Sequence, residues 1–495
     1  MNVLLLSMPD SFEHMPPAVV RMPNGALTSL AGNVDPYHHV AVADLILVQR
    51  RVRETVTKLV GEHKPEVVGL SIMTFQRRTA GRIIDLARAL RPGVKIVVGG
   101  YDPSLAPEAY EDMGVDYLVR SEGEVTFREL LRAIEAGSGF DRICGLSYRN
   151  GENWMHNPER PPHRLEDKDI RPPNRDARVL QGYTFMGRQI DVIETSRGCT
   201  YDCSFCSIIE MRGRNFHTYS VDRVLDDIRD ARDHGARTIF LVDDNITLNV
   251  KRFEGLCEAI IAAGLHTLDY FVQGMTSAIA NHGETLAPLM RRAGFRYVFL
   301  GIENILDGDL EFLKASAKNT ERTNGESVGN ATLKAIDYLH RNQMYVVGGL
   351  IVGTPGDTQE SIEANLEFAR RYVDWPYIQH PTPYPRTPMT KKFRDQGLIM
   401  NERLEEYDGT TAVVRTEHVP AEEVEFLRWK AERWMKVHHV PVALRHDPKF
   451  VLFSGWKMLK HTFRGTSIRS VLGLESERKV FERYRAIRRA EREYV

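Results

Sequence analysis

Short apolar runs alternate with amphipathic stretches through residues 1–150. The apolar runs have the length and the β-branched content of buried strands, and the stretches between them repeat apolar side chains at helical spacing. The predicted strands are Val3–Leu6, Val67–Ile72, Val94–Val98 and Tyr117–Val119, and the predicted helices are Arg50–His63, Thr79–Leu90 and Val125–Ala136. This alternation predicts an α/β fold with a doubly wound, Rossmann-like parallel sheet, whose ligands bind at the carboxyl ends of the strands.

The same alternation starts again at Ile190 and supplies six more apolar runs. These runs are Asp191–Thr195, Thr238–Val242, Leu268–Gln273, Tyr297–Gly301, Tyr345–Val352 and Tyr377–His380. The helices predicted between them are Val221–Gly235, Arg252–Ala263, Thr285–Ala293, Gly329–Arg341 and Thr358–Tyr372. Six strand–helix units suit a partial (β/α)6 barrel of the TIM type, whose functional residues gather at the carboxyl ends of the strands.

Two regions interrupt this pattern, so we predict domains at 1–150 and 191–395, a linker at 151–190 and a mainly helical region at 396–495. The linker is rich in proline, arginine and aspartate, and we expect it to lie over the surface. In the last region, Ala421–Lys436 and the charge-rich segment Glu475–Val495 are predicted helices, and we expect the latter to be solvated.

Residues Lys449–Arg464 alternate apolar and basic side chains. Such a segment could lie on an anionic membrane surface. It could equally form a helix packed on the barrel with its lysines facing water, and we favour this second hypothesis.

The charge of the chain is nearly balanced, because 66 Lys and Arg oppose 67 Asp and Glu. No global field therefore favours nucleic acid or another strongly charged partner. The short apolar start, Met1–Asp10, predicts a strand rather than a signal peptide, and no stretch approaches the length of a membrane-spanning helix. Five cysteines, an odd number, are typical of a reducing compartment, so we predict a cytoplasmic protein.

Three of the cysteines, Cys199, Cys203 and Cys206, form a C-x3-C-x2-C cluster after the first strand of the second series. A structural zinc site needs four protein ligands, and a disulfide framework needs paired cysteines in a secreted chain. The next candidate ligand, His217, is eleven residues away from Cys206. Three soft thiolates suit a [4Fe–4S] cluster with one iron open to a small molecule, and a zinc site is the alternative.

This stretch, with the aromatic Phe205 before its last cysteine, resembles the cluster loop of the radical S-adenosylmethionine (SAM) superfamily. The resemblance implies that Cys199, Cys203 and Cys206 hold a [4Fe–4S] cluster whose open iron chelates SAM. It also implies that a reductase, flavodoxin or ferredoxin donates the electron that cleaves SAM to a 5′-deoxyadenosyl radical.

Later strand ends resemble other elements of the superfamily. The stretch Asp243–Asn249 resembles the DDxxxxN element near the SAM amino group, and its candidate cofactor-binding residues are Asp243, Asp244 and Asn245. Gly301 with Glu303 resembles the GxE element near the SAM ribose. Two further turns resemble the fifth-strand and sixth-strand motifs, with an arginine in place of the usual glycine in the second; these are Gly349–Thr358 and Pro383–Pro388, and the arginine is Arg386. The resemblance covers roughly residues 1–395.

Two upstream loops resemble the cobalamin-binding domain that precedes many radical SAM barrels. The residues matched are Gly99, Gly100, Ser121, Glu122, Gly123 and Glu124. A turn at Gly123 lets backbone N–H groups approach a ligand closely. The Asp-x-His-x-x-Gly loop that provides a histidine ligand for cobalt is missing, which implies cobalamin without that ligand or a domain that has lost cobalamin. We expect His14, His38 and His39, in a long first loop, to be solvated or capping.

The resemblance implies an enzyme that methylates an unactivated carbon of a small molecule. The aromatic stretch Tyr377–Tyr384 and the apolar C-terminal region favour a hydrophobic substrate. A cobalamin-dependent cyclase acting on a tetrapyrrole or an isoprenoid lipid is the second hypothesis. An RNA methylthiotransferase would need further cluster cysteines, and a non-enzymatic cofactor-binding or electron-transfer protein would leave the SAM-type elements unexplained. No catalytic residue is assigned; near strand ends, the candidates for a general base are His217, Tyr219, Gln273 and Tyr384.

Overall fold

The computed structural model describes residues 1–162, 165, 169–323 and 326–495, so five residues of the predicted linker lie outside the described residues. The strands are β1 Asn2–Ser7, β2 Val20–Arg21, β3 His39–Asp44, β4 Val67–Ser71, β5 Lys95–Gly99, β6 Tyr117–Val119, β7 Leu146–Asn150, β8 Asn153–His156, β9 Thr184–Phe185, β10 Arg188–Ile193, β11 Ser196–Arg197, β12 His217–Thr218, β13 Thr238–Leu241, β14 Asp269–Met275, β15 Phe295–Glu303, β16 Thr320–Thr323, β17 Glu326–Asn330, β18 Tyr345–Ile351 and β19 Trp375–Gln379.

The helices are α1 Gly25–Asn33, α2 Val52–His63, α3 Arg77–Leu90, α4 Tyr101–Leu105, α5 Glu124–Ala136, α6 Ile208–Arg212, α7 Val221–Asp233, α8 Val250–Ala262, α9 Thr276–Arg292, α10 Asp307–Phe312, α11 Ser316–Asn319, α12 Thr332–Arg341, α13 Gln359–Tyr372, α14 Pro388–Asp395, α15 Ala421–His438, α16 Val440–His446, α17 Pro448–Thr462, α18 Ile468–Val471 and α19 Glu477–Glu491.

The first sheet has the strand order β3-β1-β4-β5-β6-β7-β8. Its strands from β3 to β6 pair in parallel, and β7 and β8 add an antiparallel hairpin at one edge. Helices α2 and α3 bury their apolar stripes on one face, and α1 and α5 bury theirs on the other. Helices on both faces agree with the predicted doubly wound sheet.

The prediction of one long first loop is wrong, because it contains the short helix α1 and the edge strand β3. Both are too short to give a clear periodic pattern. The expectation of solvated histidines is also wrong for two of the three. His38 is buried, with its Nδ1 3.1 Å from the amino group of Met1, and His14 is 1% exposed and packs against Tyr377, whose ring centroid lies 4.5 Å away.

The second sheet has the strand order β19-β18-β15-β14-β13-β10-β9-β2. The six strands from β19 to β10 are parallel and correspond to the six predicted runs. Strand β9 then pairs antiparallel with β10, and β2 pairs antiparallel with β9. Because β2 follows β1 of the first sheet along the chain, the N-terminal segment extends the partial barrel and ties the two sheets together.

Aromatic side chains fill the barrel towards the amino ends of its strands. Phe240 stacks on Phe271 at 4.4 Å between ring centroids, Phe271 lies 6.3 Å from Tyr297, and Tyr297 lies 6.0 Å from Tyr345. All four are buried, and Phe450 of α17 packs in the same cluster. A ligand space in the barrel is therefore expected at the carboxyl ends of the strands.

The predicted surface linker is instead anchored in the core. Arg175 is 4% exposed, and its guanidinium contacts Asp191 at 2.9 Å, Asp227 at 2.5 Å and Asp230 at 2.7 Å. Ile170 is buried with the core residues of the barrel. An arginine that is buried with carboxylate partners produces no apolar pattern in the sequence. A polar segment of this kind therefore looks like a surface segment when only its composition is considered.

The prediction that the last helix is solvated is wrong as well. Helix α19 buries Phe481 and Tyr484 against Trp429 of α15, and Arg488 forms a buried ion pair with Asp408. The favoured hypothesis for Lys449–Arg464 is confirmed, because α17 packs on the barrel through Phe450 and its lysines are exposed. It did not anticipate that Leu452, Phe453 and Trp456 of the same helix are exposed as well. None of the helices in the described parts of the chain has the length and apolar character needed to cross a membrane.

Candidate active site between the two sheets

The three clustered cysteines lie in a loop at the carboxyl end of β10. Strands β11 and β12 pair antiparallel and close this loop, with Arg197 opposite His217. Gly198, next to the first cysteine, has φ +91°, and a Cβ there would lie 2.4 Å from the carbonyl oxygen of Asn215. Glycine is therefore required where the chain turns into the cluster motif.

The cysteines face a pocket that encloses about 660 Å³, including the part open to solvent. The side chains around it come from the carboxyl ends of the four barrel strands β10, β13, β14 and β15 and from the loops that follow them. Besides the cysteines, the lining includes Phe205, Ile209, Asp244, Asn245, Gln273, Met275, Phe299, Gly301, Glu303 and Lys318. Thiol, apolar and charged side chains therefore face one cleft at the carboxyl ends of these strands.

The thiols of the pocket are chemically suited to a cationic cluster. Burial raises the pKa of Cys203 to about 12 and that of Cys206 to about 11, and the positive charge of Lys318 opposes both shifts. Coordination to a metal cation deprotonates a thiol outright, which removes the cost of a buried thiolate. All three cysteines are free of disulfides, and among the described residues no three His, Cys, Asp or Glu side chains converge on a single metal ion.

The three candidate residues at the start of the predicted DDxxxxN element do not share one environment. Asp243 is 1% exposed and accepts hydrogen bonds from the backbone N–H of Thr195, at 2.6 Å, and from two hydroxyls of the same segment. Asp244 lines the pocket and accepts from the Gly198 N–H at 2.8 Å, and the Asn245 side-chain nitrogen lies 3.6 Å from Cys199 Sγ. Asp243 thus secures the start of the cysteine loop, and only the other two face the pocket.

Gly301 and Glu303 lie at the carboxyl end of β15, where the pairing with β18 is irregular. Glu303 has φ +61°, and its carboxylate accepts a hydrogen bond from Lys318 Nζ at 2.8 Å. Although burial alone would lower the pKa of Lys318, the carboxylate of Glu303 raises it, so the lysine is a cation. Its Nζ is also 5.9 Å from the ring centroid of Phe205.

Lys318 was not predicted as a site residue. It belongs to α11, a four-residue helix without apolar periodicity, so no sequence signal marked it. Met275 and Phe299 could have been found, because they stand two residues from Gln273 and Gly301 on their strands, and residues two apart in a strand share a face.

The two predicted cobalamin loops meet at the carboxyl edge of the first sheet. Gly100 follows Gly99 with φ +103°, and a Cβ there would lie 2.8 Å from the carbonyl oxygen of Ile72. The Ser104 hydroxyl donates to the carbonyl of Gly100 at 2.7 Å and accepts from the N–H of Ser121 at 2.8 Å. The Ser121 hydroxyl donates to the carbonyl of Met211 in α6, at 3.0 Å, so this edge faces the cysteine loop.

Arg197 joins the cysteine loop to the second cobalamin loop. Its guanidinium contacts Glu124 at 2.5 Å, Glu194 at 2.7 Å and Glu122 at 3.7 Å, and Glu124 also accepts from the Ser29 hydroxyl. Gly123 is the N-cap residue of helix α5, which begins at Glu124. Burial alone would raise the pKa of Glu124, but the charge and hydrogen bonds of Arg197 outweigh burial and lower the pKa to about 2. A buried ion pair therefore spans the interface of the two sheets.

The four candidate bases occupy different places. Gln273 lines the pocket, and His217 pairs with Arg197 between β11 and β12. The ring of Tyr219 packs under the guanidinium of Arg223, and the hydroxyl of Tyr384 donates to the carbonyl of Tyr407. Of the four candidates, the structure brings Gln273 to the pocket. The general base stays unassigned.

Two sequence families match the chain. The family described as the B12 binding domain matches residues 22–131, and the family described as the Radical SAM superfamily matches residues 193–369. The first match lies on the first sheet, and the second runs from the end of β10 to α13.

Two curated relatives share most of the chain. An uncharacterised methyltransferase of Pyrococcus horikoshii is 27% identical over 409 residues, which cover 82% of this chain and 86% of that protein. The anaerobic magnesium-protoporphyrin IX monomethyl ester cyclase of Rubrivivax gelatinosus is 26% identical over 382 residues, which cover 74% of this chain and 64% of the cyclase. The chain thus spans less than two thirds of the cyclase.

A solved structure has the same overall fold. The radical SAM methyltransferase TsrM from Kitasatospora setae, with cobalamin and a [4Fe–4S] cluster bound, gives a TM-score of 0.66 at 18% identity and covers 99% of both chains. The likeness confirms the predicted arrangement of a Rossmann-like sheet, a partial barrel and a helical C-terminal region.

Proposed function

Because this chain is a radical SAM enzyme with a B12-binding domain, and its cofactors are a [4Fe–4S] cluster, SAM and cobalamin, we propose that it methylates an unactivated carbon of a small hydrophobic substrate. The observation that carries the proposal is the buried contact of Arg197 with Glu124. This ion pair brings the cysteine loop and the cobalamin-type loop into one site, which a methyl transfer involving both cofactors requires.

In this proposal Cys199, Cys203 and Cys206 hold the cluster. Asp244, Asn245, Gly301 and Glu303 surround SAM, and the loops at Gly99–Gly100 and Ser121–Glu124 border cobalamin. When bound, SAM at such a cluster supplies a radical that removes hydrogen from carbon, and cobalamin supplies a methyl group.

The side chains of the chain contribute positioning and exclusion of water. Lys318 holds the Glu303 carboxylate in one orientation at the pocket wall. Phe205, Met275 and Phe299 give the pocket apolar walls, and Tyr377 packs on Phe299 with ring centroids 5.2 Å apart. Apolar walls of this kind favour a hydrophobic substrate over a strongly charged one.

Ring formation is the second candidate function. It is favoured by the similarity to the magnesium-protoporphyrin IX monomethyl ester cyclase across 74% of this chain. A cyclase would use the same pocket residues, but it would not transfer a methyl group to its product. The electron donor, a reductase, flavodoxin or ferredoxin, stays a prediction for either function.

One anaerobic experiment tests the proposal and separates the candidates. The full chain is reconstituted with iron, sulfide and hydroxocobalamin, desalted, and treated with SAM and a strong chemical reductant. We expect about four irons and bound cobalt per chain, with S-adenosylhomocysteine formed only in samples that contain cobalamin. If 5′-deoxyadenosine forms in both samples and S-adenosylhomocysteine in neither, methyl transfer is ruled out in favour of ring formation or another radical reaction.

Replacement of Lys318 by methionine is expected to raise the KM for SAM about tenfold. The substitution leaves the largely buried Glu303 carboxylate without its cation, and an unpaired buried polar group costs about 1–3 kcal/mol. Lys318→Arg should keep most of the activity. The measurement is the rate of 5′-deoxyadenosine formation against SAM concentration.

Lys314→Met is the matched control, because Lys314 is half-exposed and forms an ion pair with the exposed Asp202, at 3.5 Å, rather than with a pocket carboxylate. We expect its KM for SAM to equal that of the parent chain. A Lys318→Met variant with an unchanged KM would show that the Lys318–Glu303 pair does not contribute to SAM binding.

A further inference from the structure

Helices α17 and α18 expose an unusual set of large apolar side chains. Leu452, Phe453 and Trp456 of α17 are 76%, 80% and 77% exposed. The surface continues over Leu459 and over the region of α18; we call the whole set the apolar patch, and its other members are Ile468, Val471, Leu472 and Leu474. Contiguous exposed apolar side chains of this kind mark an interaction surface.

Helix α17 carries apolar side chains on two opposite faces, and only one of these faces packs on the barrel. Phe450, Val451 and Met458 point towards the barrel and pack on its aromatic lower core. Phe453 and Trp456 lie on the other side of the helix. One apolar face is therefore used for folding, and the second face has no protein partner among the described residues.

Within the segment that carries the patch, residues 448–474, the charged side chains have one sign, and the segment is flanked by Asp447 and Glu475. Residues 448–474 contain the five basic residues Lys449, Lys457, Lys460, Arg464 and Arg469, and they contain no aspartate or glutamate, although the whole chain has a formal charge of −1. Arg464 is paired with Glu13 and Glu491, whereas the other four are exposed. An apolar face within a basic rim is complementary to a surface that has an apolar interior and negative head groups.

We propose that the apolar patch binds the surface of an anionic lipid bilayer, with α17 lying in the interface. A second copy of the chain fits less well, because the basic rims of two facing patches would repel each other. The patch lies below the amino ends of the barrel strands, opposite the cysteine loop, so a bilayer there leaves the pocket accessible. This proposal is independent of the reaction that the enzyme catalyses.

Vesicle sedimentation tests the proposal. The full chain is mixed with vesicles of phosphatidylcholine alone, or of equal parts phosphatidylcholine and phosphatidylglycerol, and the bound fraction is measured at low and high salt. We expect binding to the anionic vesicles that is at least tenfold stronger than to the neutral ones and that weakens at high salt. Equal binding to both vesicles, or none to either, overturns the proposal.

Variants locate the contact. The triple variant Leu452→Gln, Phe453→Gln, Trp456→Gln should lose at least tenfold in vesicle binding, and Lys457→Glu with Lys460→Glu should lose a similar factor. Leu333→Gln is the control, because Leu333 is an exposed apolar residue of α12, outside the patch. These residues are exposed, so thermal melts should be unchanged.

The oligomeric state completes the test. Sedimentation equilibrium without lipid should give a monomer for the parent chain and for the triple variant. If the parent chain self-associates and the triple variant does not, while neither binds vesicles, the patch is an interface between copies and the lipid proposal is wrong.

Discussion

Replacement of Cys203 by alanine is expected to abolish cluster assembly and to lower 5′-deoxyadenosine formation to the background level. Cys203 is 6% exposed and lines the pocket, and the only other cysteines among the described lining residues are Cys199 and Cys206, which are assigned to the cluster themselves. A cluster with three protein ligands loses one iron position with each cysteine removed. Iron and sulfide content, the visible spectrum and product formation from SAM measure the effect.

Cys144→Ala is the matched control, since Cys144 is free and does not line the pocket. It should assemble the cluster and cleave SAM at the parent rate. Hydroxocobalamin binding should survive in the Cys203 variant, because the first sheet has its own core on both faces. Retained 5′-deoxyadenosine formation in that variant would contradict the assignment of Cys203 as a cluster ligand.

The six barrel strands could be predicted because each contains a short group of apolar residues, and these groups recur at intervals with helical stretches between them. β13 was predicted to within one residue. Helix α9 was predicted too short, since its first half, from Thr276, lacks a clear apolar stripe. The segments mistaken for surface, around Arg175 and Arg488, are buried through ion pairs with residues distant in sequence. A pattern of neighbouring residues in the sequence does not indicate such long-range ion pairs.

The residues of the candidate site could be predicted where they belong to a short sequence motif. The three cysteines and the strand-end carboxylates were identified from the sequence, but their orientation was not. Nothing local distinguishes Asp243, which turns inward to Thr195, from Asp244, which faces the pocket. Lys318 and Arg197 act through partners that only the fold brings near, so they could not be assigned in advance.

Replacement of Arg197 by methionine is expected to destabilise the chain by about 3–5 kcal/mol at pH 7, the usual cost of breaking a buried ion pair. In the parent chain the pKa of Glu124 is lowered to about 2, so its contribution to stability is present above pH 4.5 and is lost as the pH falls towards 2. Without Arg197, little offsets the effect of burial, so the pKa of Glu124 in the folded chain should rise above its value in the unfolded chain. The free energy of unfolding of the variant should then increase as the pH falls from 7 to 5, whereas that of the parent chain should not.

Urea unfolding at pH 7 and pH 5 measures this difference, and a second substitution separates the partners. Glu124→Gln removes the buried charge, so the double variant with Arg197→Met should be more stable at pH 7 than Arg197→Met alone. Arg229→Met is the control, because Arg229 pairs with the exposed Asp226 on the surface of α7 and should change stability little. If Arg197→Met has the pH dependence of the parent chain, Glu124 is not held by Arg197. The two cofactor loops would then have to be kept together by other contacts, such as the hydrogen bond from Ser121 to Met211.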